Sequence, residues 1–342
     1  MNKRTEKILK ATIHNYIETA EPVSSNKLIK KYGFELSPAT VRNELNELVK
    51  GGYLAQLHTS SGRAPTDKGY RIYVDSLMDF KGLPKDQKKM IVRRMKHIGL
   101  NIRDILTNTS ALMSSLVNYT AFVLTPDIYE ESLKVAHLIL LDLNKVLLVL
   151  LDSLGVNKEF VIKFEHKASQ EDLNKISKLL TEKLKGKSFS EIDEEVFGTL
   201  VAELPAFKVI ILRLCEEIKK ITKAQKKQTK LLMSGVSKML KLPEFKNIEL
   251  THKVISTLEE SKVLSNVLQE YLATSFNPVV IGKENKIDNL KDCSVVLSPC
   301  MLNKRNIGAL GLLGPKRMKY SQIVPMVLEI TKMANEYIND VK

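Results

Sequence analysis

The sequence predicts an α+β protein built from more than one domain, and three observations carry that prediction. Its 342 residues are more than a single ordinary core requires. Its amino-terminal 80 residues read as helices in quick succession, ended by a loop rich in turn residues. Further on, short apolar runs separated by Asn and Gly alternate with long helical patterns, which is the signature of small antiparallel sheets covered by helices.

Residues 5 to 19 place Ile8, Leu9, Ile13, Tyr16 and Ile17 on one helical face. Glu21-Pro22-Val23 interrupts that stripe, and Ser24 or Ser25 can cap a short second helix containing Leu28 and Ile29, which Gly33 ends. In LSPATVRNELNELVKGG, Ser37 is the N-cap candidate, Pro38 fits the first helical position, Val41, Leu45 and Leu48 form the inward face, and Gly51-Gly52 stops the helix. A short strand at Tyr53 to Ala55 leads into QLHTSSGRAPTDKGY, and another helix starts near Thr66 with Tyr70, Tyr73, Val74 and Leu77 facing inward. Helix, short helix, turn, helix and hairpin-like loop is the order of a winged helix-turn-helix.

The third helix has a second face. Ala39, Arg42, Asn43, Asn46 and Lys50 lie opposite its apolar stripe, with Ser37 and Thr40 at its amino-terminal end. Arg and Asn suit bidentate hydrogen bonds to guanine and adenine edges in a major groove, while free N–H groups of the first turn suit phosphate. In the loop, Gly62 and Pro65 are expected to shape the tip of a wing. His58, Thr59, Ser60 and Ser61 would meet the DNA backbone, and Arg63 would enter a minor groove or grip phosphate.

Beyond Phe80 a Gly-Pro linker precedes a basic helix over 85–97 and a second helix over 101–118. LKVAHLILLDL, KVLLVLLD and KEFVIKFE, joined by Asn144 and by Gly155, predict a three-stranded antiparallel meander. Helices are expected at 170–184, 190–201 and 207–232, then one ending near Leu272. Strands follow in PVVIG, CSVVLSP and IGALGLLG, before a closing helix from Ser321 to about Ile338.

Net charge is +14, with 44% hydrophobic and 27% charged residues, so the chain reads as soluble, and its basic balance fits a polyanionic partner or a Lys-rich surface. Cys215, Cys293 and Cys300 are odd in number and lack CxxC spacing, which argues against a disulfide framework or a zinc site. The apolar stretch from Val135 to Leu151 is broken by His137, Asp142, Asn144 and Lys145 and fails as a membrane span. The amino terminus is amphipathic, not a leader, so a cytoplasmic protein is expected. Gly308, Gly311 and Gly314 match neither GxGxxG nor GxxxxGK[ST], the six His are scattered, and Ser60-Ser61-Gly62 is not a nucleophile elbow. No catalytic residue, metal ligand or cofactor is expected.

EPVSSNKL, LSPATVRNEL and LHTSSGRAPTDKGYRIYVD, in that order, resemble the amino-terminal domain of the HrcA family of heat-inducible transcription repressors. MLKLPEF at 239–245 and IGALGLLGPKRMKY at 307–320 are similar to that family's mid-chain and closing motifs, so the resemblance spans nearly the whole chain. It implies a winged-helix domain over 1–80, linker helices and the first part of a GAF-like domain over 81–129, an inserted dimerising domain over 130–227, and the rest of the GAF-like domain over 228–342. It also implies a cytosolic homodimer that binds the CIRCE inverted repeat on double-stranded DNA ahead of chaperone and chaperonin operons, with the GroE chaperonin as a partner. A regulator that senses a small ligand through the GAF-like domain is the alternative.

Overall fold

A computed structural model describes residues 1–56, 62–80, 82–95, 102–124, 132–153, 155, 157–164, 168–188, 191–192, 194–224, 231–274 and 278–340. They fold as two compact units, one of Met1–His97, Thr107–Leu124 and Leu231–Lys342, the other of Ile98–Leu106 and Thr125–Lys230. The protein is α+β, with three separate sheets among the described residues.

The chain opens with α1 (Lys3–Thr19), α2 (Ser25–Tyr32) and α3 (Pro38–Lys50), then β1 (Leu54–Gln56), β2 (Arg63–Pro65) and α4 (Asp67–Ile72), the last running into a π-helical turn over Tyr73–Leu77. The boundaries follow local chemistry. Ser24, Ser37 and Thr66 each accept a backbone N–H three residues on, and Gly33 supplies the left-handed residue that ends α2. β1 and β2 pair antiparallel, and Val23 joins their edge through two 2.9 Å backbone bonds with Arg63. Gly62 sits where that edge is tightest: a Cβ there would come within 2.6 Å of the Val23 backbone. Gly62 is therefore a close-approach residue and Pro65 a strand residue paired with Leu54, so the expectation that both shape the wing tip is corrected.

Thr66 does more than cap α4. Its hydroxyl also donates to the carbonyls of Gly52, at 2.6 Å, and Tyr53, fastening the helix to the end of α3. Thr66→Ala should therefore cost about 1–2 kcal/mol in denaturant unfolding, while Thr66→Ser should cost less than half of that.

After α5 (Lys85–Met95) and α6 (Ile102–Leu116), β3 (Thr120–Leu124) enters the first unit's main sheet. The second unit holds the expected meander, β4 (Leu133–Asp142), β5 (Lys145–Asp152) and β6 (Asn157–Lys163), followed by α7 (Gln170–Leu184), α8 (Glu194–Glu203) and α9 (Lys208–Ala224). Its core is one face of that sheet, including Ala136, Leu138, Val146, Leu148, Leu150 and Ile162, packed on Leu173, Ile176, Leu180, Phe197, Leu200 and Leu214 of the helices.

The chain then returns to the first unit as β7 (Leu231–Ser234), α10 (Val236–Met239), α11 (Ile248–Glu259), α12 (Ser261–Thr274), β8 (Val279–Ile281), β9 (Cys293–Leu302), β10 (Arg305–Pro315) and α13 (Tyr320–Asp340). The five strands lie in the order β7-β3-β10-β9-β8, all neighbours antiparallel. Asn303 and Lys304, with φ of 47° and 66°, make the two-residue turn between β9 and β10. Two expectations fail here. Leu231 and Leu232 belong to β7, not to a helix reaching 232, because they complete a sheet edge against Val123 and Leu124. The helix expected to run on to Leu272 is two helices, broken at Glu260 where the backbone leaves the helical region (ψ 53°).

Candidate nucleic-acid interface

α3 is held by its inner face. Val41, Leu45 and Leu48 are buried, and so is Glu44, which the sequence pattern did not mark as inward. Its carboxylate accepts from the Thr5 hydroxyl and from Arg4 Nε, both at 2.7 Å. The Thr5 hydroxyl, with Arg4 assisting, keeps that carboxyl below its ordinary range against the opposing effect of burial. Two groups of α1 thus fix the axial rotation of α3, and that rotation decides which side chains face out.

Facing out are Ala39, Arg42 and Asn43, exposed, with Thr40 and Asn46 half-buried. Ser37 Oγ accepts the Thr40 amide at 3.1 Å and lies 2.9 Å from the Thr40 hydroxyl, so both hydroxyls cluster at the helix amino terminus. Lys50, at the other end, donates to Glu47 at 2.8 Å, and that pairing offsets its charge. Asn43, Asn46, Glu47, Val49 and Lys50 line an open surface depression of about 500 Å³. From the wing, Arg63 reaches back to this face and its Nη2 donates to Asn46 Oδ1 at 2.8 Å. The structure therefore brings together Ser37, Thr40, Arg42, Asn43, Asn46 and Arg63. His58, Thr59, Ser60 and Ser61 lie outside the described residues.

The second half of the GRAPTDKGYRIYVD motif faces the five-stranded sheet and its neighbouring loops. Arg71 grips Glu284 with two hydrogen bonds of 2.8 and 2.5 Å, and its Nη2 also donates to the Val279 carbonyl at 2.7 Å. Asp67 accepts from the Lys283 amide at 3.0 Å and pairs with Lys316, which also pairs with Asp292. Burial works against the Lys316 charge, but those two carboxylates outweigh it and raise its pKa. The Tyr70 and Tyr320 rings meet at 6.0 Å. Arg317 pairs with Glu244 of the MLKLPEF motif and donates to the Ile17 carbonyl of α1 at 2.9 Å.

The cysteines offer no reactive thiol: all three are buried and none forms a disulfide, and burial pushes the Cys293 thiol up to about 12. Among the described residues no group of three or more His, Cys, Asp or Glu is placed to hold a metal. No helix among them is long and apolar enough to cross a membrane.

A capped helix with Arg and Asn turned outward beside a two-stranded wing, on an α+β body, defines a winged helix-turn-helix transcription regulator. A family model described as the HrcA protein C terminal domain matches residues 103–324, and the heat-inducible transcription repressor HrcA of Pelotomaculum thermopropionicum is 33% identical over 338 residues, covering 99% of this chain and 97% of its own. The chain belongs to the HrcA family of heat-inducible transcription repressors. The HrcA repressors of Carboxydothermus hydrogenoformans and Clostridium tetani are 34% and 33% identical, each over 99% of this chain and over 99% and 96% of their own. A crystal structure of a protein described as hypothetical shares the fold, with a TM-score of 0.70 and 23% identity over the full length of both chains.

Proposed function

We propose that this protein is a cytoplasmic homodimeric repressor that inserts α3 into the major groove of the CIRCE inverted repeat ahead of chaperone and chaperonin operons. The observation that carries this reading is the outward face of α3, where Arg42, Asn43 and Asn46 stand on a helix whose rotation is fixed from behind by Glu44. Ser37, Ala39, Thr40 and the helix amino terminus would sit against phosphate and position α3 without specifying sequence. The wing hydroxyls of Thr59, Ser60 and Ser61, with His58, would extend that backbone grip.

An inverted repeat calls for a two-fold protein. The outer face of the β4–β6 sheet supports one, because Val135, Ile139, Leu141 and Val161 are exposed there. Apolar side chains clustered on a solvated sheet face are the mark of a surface covered by a partner, here a second copy. Heat enters through marginal stability: a repressor that needs the GroE chaperonin to stay folded loses operator occupancy when unfolded clients compete for it. Among the described residues, ligand sensing finds no comparable support. The void lined by Thr120, Phe122, Met233, Leu258, Leu264, Leu268, Val295 and Leu313 in the five-stranded domain is only about 10 Å³, roughly the space one water needs.

Gel-shift titration tests the reading. Arg42→Ala should weaken operator binding by about 1–3 kcal/mol and relax preference at one base position. Equal weakening on operator and random DNA would make Arg42 a phosphate contact. Adding purified chaperonin should raise the active fraction, and an unchanged fraction would count against the partner assignment.

A further inference from the structure

The hydrogen bond between Arg63 and Asn46 gives Arg63 a task other than touching DNA. Arg63 is not loose at a wing tip. Its backbone is bonded on both sides to Val23, and it lies opposite Gln56 in β2. From that fixed position its Nη2 donates to Asn46 Oδ1 at 2.8 Å. A guanidinium can only donate, so the oxygen of the Asn46 amide must face it and the NH2 group must be the other end of the fork. The direction of the Asn46 amide is therefore set before any DNA arrives.

That direction has a consequence for recognition. An unrestrained Asn reads adenine with both ends, Oδ1 accepting from the N6 amine while Nδ2 donates to N7. With Oδ1 turned to Arg63 and one of its two acceptor sites filled, the fork is oriented so that Asn46 presents its Nδ2 donor. We propose that Arg63 is a positioning residue that holds Asn46 as a hydrogen-bond donor, so that Asn46 selects a base-edge acceptor (a purine N7, guanine O6 or thymine O4) instead of the donor–acceptor pair of adenine. This rests on the reading of α3 as the operator-facing helix. It is an alternative to the expectation that Arg63 itself enters a groove or grips the backbone.

The test uses the full-length protein and a duplex selected by the wild type from a randomised inverted-repeat library. A selected duplex with no advantage over a scrambled one would remove the operator-binding reading itself, and the proposal with it. Given such a duplex, Asn46→Ala and Arg63→Ala should relax preference at the same base position. Each should lower operator affinity by roughly 10-fold, and Arg63→Ala should change nothing further once Asn46 is Ala. Asn46→Asp keeps the acceptor that Arg63 holds but removes the donor, and should lose at least as much as Asn46→Ala. At the position read, a 7-deaza purine or an analogue without the carbonyl oxygen should weaken wild-type binding, whereas loss of an N6 amine should not.

Arg63→Lys retains one donor and should restore part of the base preference, which a role confined to wing folding would not produce. Circular dichroism melts keep the series interpretable, since Arg63→Ala should unfold within a few degrees of the wild type. If instead Arg63→Ala weakens operator and scrambled DNA alike and lowers the salt slope by about one contact, Arg63 is a phosphate ligand and the proposal is overturned. An Arg63→Ala loss that persists in full when Asn46 is already Ala would overturn it as well.

Discussion

Replacing Val161 by Glu should leave the protein folded and reduce its affinity for an inverted-repeat operator by about 10²–10⁴-fold, the factor that tethering two half-site contacts typically supplies. Val161 is 60% exposed at the centre of β6. The register places Ile139, Leu147 and Val161 side by side across the three strands on the outer face. The neighbouring row, Leu138, Leu148 and Phe160, faces the core. The central row of the outer face is therefore apolar too, flanked by His137, Glu159, Lys145 and Lys163, whereas a solvated antiparallel sheet ordinarily carries polar residues across that face. A Glu at an exposed strand position costs the monomer about 1 kcal/mol or less. Placed in the middle of the proposed interface with a second copy, the same carboxylate would be desolvated without a partner, which costs several kcal/mol per protomer and is doubled by two-fold symmetry. Sedimentation should show a monomer, circular dichroism a nearly unchanged melt, and gel shifts a protein that binds a half-site as tightly as the full repeat. A Val161→Glu protein that still sediments with the wild type would overturn the proposal that a second copy covers this sheet face.

The amino-terminal elements were legible because their signals are local. Ser24, Ser37 and Thr66 cap the helices they precede, and Gly33 ends α2, all within a few residues of the boundary each sets. The meander was legible for the same reason, since Asn144 and Gly155 punctuate apolar runs that pair in sequence order. β3 and β7 were not. β3 is buried at every position, so it shows no alternation to distinguish it from helix. β7 pairs with a strand more than 100 residues earlier in the chain. The site divided along the same line. The exposed row of α3 follows from helical spacing alone, but the bonds from Arg63 to Asn46 and from Arg71 to Glu284 join side chains that no local pattern relates. Their effect on the GRAPTDKGYRIYVD motif is a division of labour: Arg63 serves the α3 face, while Asp67, Tyr70 and Arg71 dock the amino-terminal helices onto the five-stranded sheet and its loops.

That docking is where a single substitution should cost most. Arg317→Ala should destabilise the first unit by about 3 kcal/mol, because two partners, the Glu244 carboxylate and the Ile17 carbonyl, depend on one guanidinium. The side chains of Arg317 and Glu244 are only 15% and 24% exposed, so water screens their pairing weakly. Arg317 Nη1 also satisfies the Ile17 carbonyl, one of the last-turn acceptors of α1 that have no partner within the helix. Removing the guanidinium leaves a partly buried carboxylate and an unpaired carbonyl together, and each carries its own desolvation penalty. Arg317→Lys keeps the charge but cannot serve both acceptors in that geometry, and should lose about half as much. In the Arg317→Ala background, Glu244→Gln should recover about 1 kcal/mol, since it removes the stranded charge while the Ile17 carbonyl stays unpaired. The chain contains no Trp, so circular dichroism in a urea titration is the direct measurement. For a repressor the consequence is thermal: each kcal/mol lost lowers the unfolding midpoint by about 2–4 °C in a body of this size, so Arg317→Ala should release the operator at a correspondingly lower temperature. A midpoint within one degree of the wild type would show that the Glu244 and Ile17 acceptors find water instead, and that α1 is held to the body by its apolar packing alone.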